Sequence, residues 1–430
     1  MSEISSHHGA RASRSRLPSK RFLAAAFATL VAAAPTARGD PADDPSTAAA
    51  DAIHKRVLTL DTHVDIPFEF MSPQADPGKP SKLQVDLPKM REGGLSAAFF
   101  VVYVGQTSRT AENYAQARLG AETKFAAIHK MVETYPDQIE LARSAADVTR
   151  IRASGKLLAL IGIENGFVIG KDINLLRHYH DLGARYFGLV HAGHNDLGDS
   201  ANPVSWLDKG PEHNGLSPLG RQAVVELNRL GFIVDISHAS KETSMQAIEL
   251  SRAPVIASHS DVGALNPIAR NLDDETLEAL ARKGGVVQIV AFDSYLWVGV
   301  VAKHKAQEAL RREYGIDDPF AVGNLPPDKA AEYFRRLLAL DQVWARTDVK
   351  RLVDHIDYAV KKIGVDHVGI ASDFGGGGGI VGWKDASETY NVTRELARRG
   401  YSEGDIAKLW GGNLLRVLAN VEEIAEKSRD

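Results

Sequence analysis

From Val57 onward the chain alternates between short apolar runs and longer segments whose apolar residues recur at helical spacing. Eight runs stand out: Val57 to Asp61, Ala97 to Val104, Leu157 to Glu164, Tyr186 to His191, Phe232 to His238, Val255 to His259, Val286 to Phe292, and Val368 to Asp373. Between them, the spacing predicts helices over Ala111 to Tyr135, Ile173 to Gly183, Pro218 to Gly231 and Asp273 to Lys283. Strands that are apolar nearly throughout and alternate with helices predict a parallel sheet covered by helices. Eight strand-helix units predict an α/β fold of the (β/α)8 TIM-barrel type. A doubly wound open sheet is the rival, but no G-x-G-x-x-G or G-x-x-x-x-G-K-[ST] follows an early strand. Between the seventh and eighth runs, residues 295–350 form a helical insertion, with helices predicted over Lys303 to Tyr314 and Pro327 to Trp344. It is read as a lid or a subunit contact.

The N-terminus follows a different pattern. Arg11, Arg14, Arg16, Lys20 and Arg21 precede an apolar stretch, Phe22 to Ala34, that is too short to span a bilayer and is followed by small residues. Residues 1–39 are therefore expected to be a signal peptide, 40–51 a linker, and 52–430 a single domain. A soluble periplasmic or secreted protein with no membrane span after signal removal is the expectation. Of 430 residues, 44% are hydrophobic and 25% charged, the balance of a globular protein. With 51 Lys and Arg against 55 Asp and Glu, and no basic stripe, nucleic acid is not an expected partner. The absence of cysteine excludes disulfides, thiolate nucleophiles and thiolate metal sites, so any metal must be held by the 15 histidines and the carboxylates.

A barrel builds its active site at the C-terminal ends of its strands, and the ionisable residues of this chain fall there. The first run leads into Asp61-Thr62-His63-Val64-Asp65, where strand alternation puts His63 and Asp65 on one face. The others end in Glu164, His191, His238, His259 and Asp373. One such residue is unremarkable by itself. Buried ionisable groups at the ends of six of eight strands are not, because each is costly unless paired or bound to metal. Imidazole and carboxylate ligands without sulfur suit zinc or a similar divalent ion. Three histidines, one Asp and one Glu exceed the needs of one catalytic zinc and argue for two ions, with Glu164 as the bridging carboxylate. Two such ions would acidify a shared water and polarise a carbonyl, as hydrolysis of an unactivated bond requires.

The combination of D-T-H-V-D-I-P (61–67), I-G-I-E-N-G (161–166), G-L-S-P-L-G-R-Q-A-V-V-E-L-N-R-L-G (215–231), D-I-S-H (235–238), P-V-I-A-S-H-S (254–260) and A-R-N (269–271) resembles the membrane dipeptidase, or renal dipeptidase, family of amidohydrolase-like metal hydrolases. The resemblance runs from about residue 52 to the C-terminus. It implies a binuclear zinc barrel that cleaves dipeptides and tolerates a D-residue at the C-terminal position. It also implies that His63 and Asp65 hold one zinc, that His238 and His259 hold the other, and that Glu164 bridges them. Asp373 is implied as the catalytic acid and base, His191 as the group that polarises the scissile carbonyl, and Arg270 as the anchor for the substrate's carboxylate. A homodimer is implied as well.

The chain departs from that pattern in places. Thr62-His63-Val64-Asp65-Ile66-Pro67 replaces the family's frequent Gly-His-Asn-Asp-Leu-Pro while keeping both ligands. Gly375 to Gly379 replaces a Phe-Asp-Gly continuation after Asp373, which is expected to loosen a loop beside the catalytic acid and to alter substrate choice. A C-terminal lipid anchor is not expected, since no apolar tail follows the last helical pattern. His194-Asn195-Asp196 is expected to be a plain loop rather than a metal site, and His213, His304, His355 and His367 are expected to be structural or solvated. Two other readings stay open: the same metal site acting on a β-lactam or an N-acyl amino acid, and a metal-bearing binding protein without catalysis.

Overall fold

The structure is a computed structural model that describes residues 45–297, 299–316, 325–343 and 347–428. Among the described residues, nine strands form one parallel sheet: β1 (Leu60–Asp65), β2 (Ala97–Tyr103), β3 (Ile139–Leu141), β4 (Leu157–Glu164), β5 (Ala184–Gly188), β6 (Ile233–Asp235), β7 (Ile256–Ala257), β8 (Val286–Val290) and β9 (Val368–Ala371). The order is β1-β2-β4-β5-β6-β7-β8-β9, with β3 paired to β4 outside that path. The ends meet through a parallel bridge between Val64 and Phe374, with Asp65 N–H donating to Phe374 O at 2.7 Å. The eight main strands therefore close into the (β/α)8 barrel that the apolar runs predict.

The period of two along each strand separates two cores. Leu60, Ala97, Phe99, Leu158, Leu160, Tyr186, Ile233, Ile256 and Val286 face inward, where Leu414, Val417, Leu418 and Val421 of the C-terminal helix Asn413–Lys427 join them. Those residues come from the early parts of the strands, so this helix plugs the end of the barrel away from the ionisable cluster. Ala98, Phe100, Ile161, Phe187, Val234 and Ile289 face outward into the helical layer. Local signals set the helix ends. Helix Pro218–Leu230 begins with Ser217 accepting from Gly220 N–H and Pro218 in its first turn, and it ends at Gly231 in the left-handed region at φ 93°.

The insertion leaves and returns at one point. Asp293 Oδ1 accepts from both the backbone N–H and the hydroxyl of Thr347, at 2.7 and 2.6 Å. Helices Val300–Glu313 and Pro327–Val343 lie between, close to their predicted spans, with a small core of Leu310, Ile316 and Tyr333. The expected linker of residues 40–51 differs: from Pro45 it is helical, as part of helix Pro45–Arg56. The reason is tertiary, since Asp51 and His54 on this helix bond to helix Tyr390–Arg398. The expected signal peptide, residues 1–39, lies outside the described residues. Among the described residues, no helix is long and apolar enough to cross a membrane.

Candidate active site and metal centre

Only His63, Asp65 and Glu164 belong to strands. His191, His238, His259 and Asp373 lie two or three residues past the observed ends of β5, β6, β7 and β9. The apolar runs continue past the hydrogen-bonded ladders because the chain must bend toward the barrel axis to bring these side chains together. His238 and Asp373 do so with left-handed backbones, φ 66° and 58°.

The side chains converge closely. His63 Nε2 lies 3.4 Å from Asp65 Oδ2, 3.6 Å from Glu164 Oε2 and 4.0 Å from Asp373 Oδ1. On the other side, Glu164 Oε1 lies 3.1 Å from His238 Nε2 and 3.3 Å from His259 Nε2. These two imidazole nitrogens are themselves 2.8 Å apart. Three overlapping groups have ligand atoms within 4.8 Å of one another and could hold a metal ion: His63, Asp65 and Glu164; Glu164, His238 and His259; and His63, His259 and Asp373. The donor set also passes a test of fit. His63 Nε2 and Glu164 Oε1, which point into the cluster, are buried without a hydrogen-bond partner, an unfavourable state that coordination relieves.

Electrostatics tie the group together. Burial opposes charge on His63, yet the Glu164 and Asp65 carboxylates hold its pKa well above the ordinary imidazole range. Burial likewise opposes charge on Glu164, but His191 and His63 keep it well below the usual carboxylate range. Burial pushes His238 and His259 well down, and Arg270 adds to the effect. Burial raises Asp373 well above an ordinary carboxyl, with Asp65 and Glu164 adding to it against the pull of His63.

His191 stands at the edge of the cluster, 4.0 Å from Glu164 Oε1 through Nε2, with its side chain 24% exposed toward the opening. Arg270 is buried nearby. Its Nη1 donates to Ser260 Oγ at 2.6 Å and its Nη2 to His259 O at 2.5 Å, while the guanidinium lies 4.9 Å from the Tyr295 ring centroid and Nε stays unpartnered. All eight residues singled out in the sequence thus gather at one end of the barrel.

Several residues here escape the sequence reading. Tyr186 Oη lies 3.0 Å from His63 Nδ1, and Tyr103 Oη 3.3 Å from His191 Nδ1. Ser258 donates its hydroxyl to Asp235 Oδ2 at 2.7 Å, which leaves its oxygen, 2.8 Å from His259 Nδ1, to accept from that ring. This chain fixes the tautomer that turns the Nε2 lone pair of His259 toward Glu164. Asp61 Oδ1 accepts from His63 N–H at 3.2 Å and from Ser372 N–H at 2.9 Å, joining β1 to the loop after β9. The register of β1 against β2 shifts between Asp61 and Val64, so strand alternation does not signal Asp61. Nothing local signals Tyr186, whose partner is 123 residues away.

The glycine run corrects an expectation. Rather than loosening the loop, Gly375 to Gly379 is tightly held. Gln84 accepts from Gly375 N–H at 2.8 Å and donates to Gly378 O at 3.0 Å, while Gly376 N–H and Gly378 N–H both donate to Asp373 O. Glycine is needed because the backbone passes against the site. A Cβ at Gly376 would lie 2.4 Å from both Asp373 Oδ1 and Asp65 Oδ2. His213, His355 and His367 are structural as expected, each bonding a backbone carbonyl, and His194 accepts from Ser200 N–H.

Comparison with known proteins agrees with this geometry. Residues 47–430 match the family described as membrane dipeptidase (peptidase family M19). Dipeptidase aclJ of Aspergillus oryzae is 34% identical over 352 residues, 81% of this chain and 72% of that protein. The crystal structure of the probable dipeptidase PvdM from Pseudomonas aeruginosa superposes with a TM-score of 0.80 at 37% identity, covering 88% of this chain and 99% of that one. A metallopeptidase from Rhodobacter sphaeroides, liganded with a phosphinate mimic of the dipeptide L-Ala-D-Ala, shares the fold at 23% identity, with a TM-score of 0.66 over 85% of this chain and 99% of that one.

Proposed function

Because the chain belongs to the membrane dipeptidase family, we propose that it hydrolyses dipeptides with two zinc ions and accepts a D-residue at the C-terminal position. The observation that carries this reading is the placement of Glu164, whose Oε2 faces His63 while its Oε1 faces His238 and His259, and which belongs to both the His63–Asp65 and the His238–His259 ligand groups. One carboxylate shared between two ligand groups suits a bridge. His63 and Asp65 would hold one ion and His238 and His259 the other. When bound, such ions supply Lewis acidity and make a nearby water acidic enough to attack an amide at neutral pH.

The protein groups have separate tasks. Arg270 captures the substrate's carboxylate, using the guanidinium hydrogens that Ser260 and His259 leave free. His191 donates from Nε2 toward the scissile carbonyl and the oxyanion that grows on it. Asp373 takes a proton from the attacking water at Oδ1 and returns it to the leaving amine, a role its place beside His63 suits. The basic and then apolar N-terminal pattern supports action outside the cytoplasm.

The test is hydrolysis of matched L,L and L,D dipeptides, with tripeptides and N-acetylated dipeptides as controls, before and after chelation. Chelator-sensitive cleavage confined to free dipeptides is the expected result. Cleavage of none of them by metal-loaded protein would overturn the reading, and cleavage of tripeptides at equal rates would remove the dipeptide restriction.

A further inference from the structure

A cavity of ≈ 410 Å³ opens beside Asp65 and Tyr103, within the usual range for small-molecule sites of roughly 300–1,000 Å³. Its walls are largely apolar, with Ile66, Phe70, Leu83 and Phe100 among them. Lys124 also lines it. This lysine, on helix Ala111–Thr134, is only 4% exposed, and among the described residues its ammonium has no hydrogen bond or ion pair. It rests 5.0 Å from the Phe68 ring centroid and 5.8 Å from that of Tyr103. A second cation, Lys82, stands exposed at the rim. Apart from Asp65, assigned above to a metal, the cavity lining carries no carboxylate. Asp65, Glu164 and Glu69 favour the Lys124 charge only from beyond hydrogen-bond reach, burial outweighs them, and a ligand carboxylate in the cavity would relieve that cost.

Position gives the ligand its identity. Arg270 lies at the His259 side of the ligand cluster, whereas Lys124 and the cavity lie at the Asp65 side. With the C-terminal carboxylate on Arg270 and the scissile carbonyl beside His191, the N-terminal residue points toward the cavity. We propose that this cavity receives the side chain of the substrate's N-terminal residue and that Lys124 selects an anionic one, so that dipeptides beginning with Glu or Asp are preferred. The proposal rests on the dipeptidase reading. The apolar walls take the methylene stem, and the ammonium makes a charge-assisted hydrogen bond to the terminal carboxylate.

The test compares kcat/KM for L-Glu-L-Ala with L-Gln-L-Ala, and for L-Asp-L-Ala with L-Asn-L-Ala, on the zinc-loaded full chain. These isosteric pairs differ in charge but hardly in shape. The acid is expected to be favoured by about tenfold or more in the wild type, the value of one hydrogen bond to a charged group. Lys124→Met should bring the ratio to near one, Lys124→Arg should keep it above one, and Lys124→Glu should shift preference toward L-Lys-L-Ala. Cleavage with a wild-type ratio near one would overturn the role of Lys124 while leaving the dipeptidase reading intact. An unchanged ratio in folded, metal-replete Lys124→Met would do the same. Cleavage of no dipeptide at all would overturn both. Should Lys124→Met fail to fold, the wild-type ratio and the Lys124→Arg variant still decide.

Discussion

Gly376 shows how closely the backbone serves the chemistry. Any side chain there would displace the carboxylates of Asp65 and Asp373, since a Cβ would lie 2.4 Å from each. Gly376→Ala is therefore expected to lower kcat/KM by roughly 10- to 100-fold, as small misplacements of catalytic groups do, and to reduce the metal content of purified protein measured by atomic absorption. Asp373→Asn separates proton transfer from metal binding. It should lower kcat by about 10²- to 10⁴-fold, the usual contribution of a general acid and base, with metal content unchanged. Wild-type turnover in that variant would remove Asp373 from the mechanism. Tyr186→Phe deletes the partner of His63 Nδ1, and a titration against a competing chelator should show metal affinity falling about 10- to 100-fold.

Among the elements, helix Pro45–Arg56 joins the barrel through polar groups. Arg394 forks onto both carboxylate oxygens of Asp51 at 2.7 and 2.8 Å. Trp410 Nε1 donates to Thr393 Oγ1 at 2.8 Å, so the Thr393 hydroxyl is free to donate to His54 Nδ1 at 2.6 Å, while His54 Nε2–H donates to Gly93 O at 3.0 Å. A neutral imidazole satisfies this network, and burial lowers the His54 pKa to about 4 despite the pull of the Gly93 carbonyl. The unfolded chain therefore binds the proton more readily. The stability from this group is complete above about pH 6.5 and is lost as pH falls toward about 4, a change of roughly 3 kcal/mol. Urea unfolding of chelated protein should show His54→Leu with a flatter dependence between those pH values than wild type. Equal slopes would show that His54 titrates freely in the folded state.

At the scale of the whole molecule, barrel closure and the ligand cluster share the same residues. The bridge between Val64 and Phe374 lies among His63, Asp65 and Asp373, and Asp61 fastens the same seam. Glu164, on β4, meets His238 and His259, which follow β6 and β7, across the paired strands between them. Metal bound to this cluster should therefore stabilise the whole fold, by about 4 kcal/mol at a thousandfold excess over Kd. Chelation should lower Tm in calorimetry, and added zinc should restore it. A Tm indifferent to chelation, with metal confirmed removed, would mean that the ligand cluster is held by the protein alone.

Much of this molecule is legible in order along the chain. A parallel barrel strand is buried on both faces and so is apolar nearly throughout, which makes each unit visible locally. Costly polar residues at the ends of those runs mark His63, Asp65, Glu164, His191, His238, His259 and Asp373, while Arg270 is visible only through the resemblance. Where contacts depend on closure, the local pattern is silent. The pairing of Tyr186 with His63, the Asp235–Ser258–His259 chain, the helix beginning at Pro45 and the unpartnered ammonium of Lys124 all follow from surfaces brought together across the barrel. The glycine run illustrates the same limit. Glycine's freedom in isolation suggests a loose loop, but its lack of a Cβ allows Gln84 and the carboxylates to hold the backbone close. The sequence by itself determined the barrel and which ionisable residues stand at the ends of its strands, because burial and alternation act between near neighbours. Tertiary structure alone decided which of those groups touch, what orients them and which charge is left without a partner, because those depend on distances across the closed sheet.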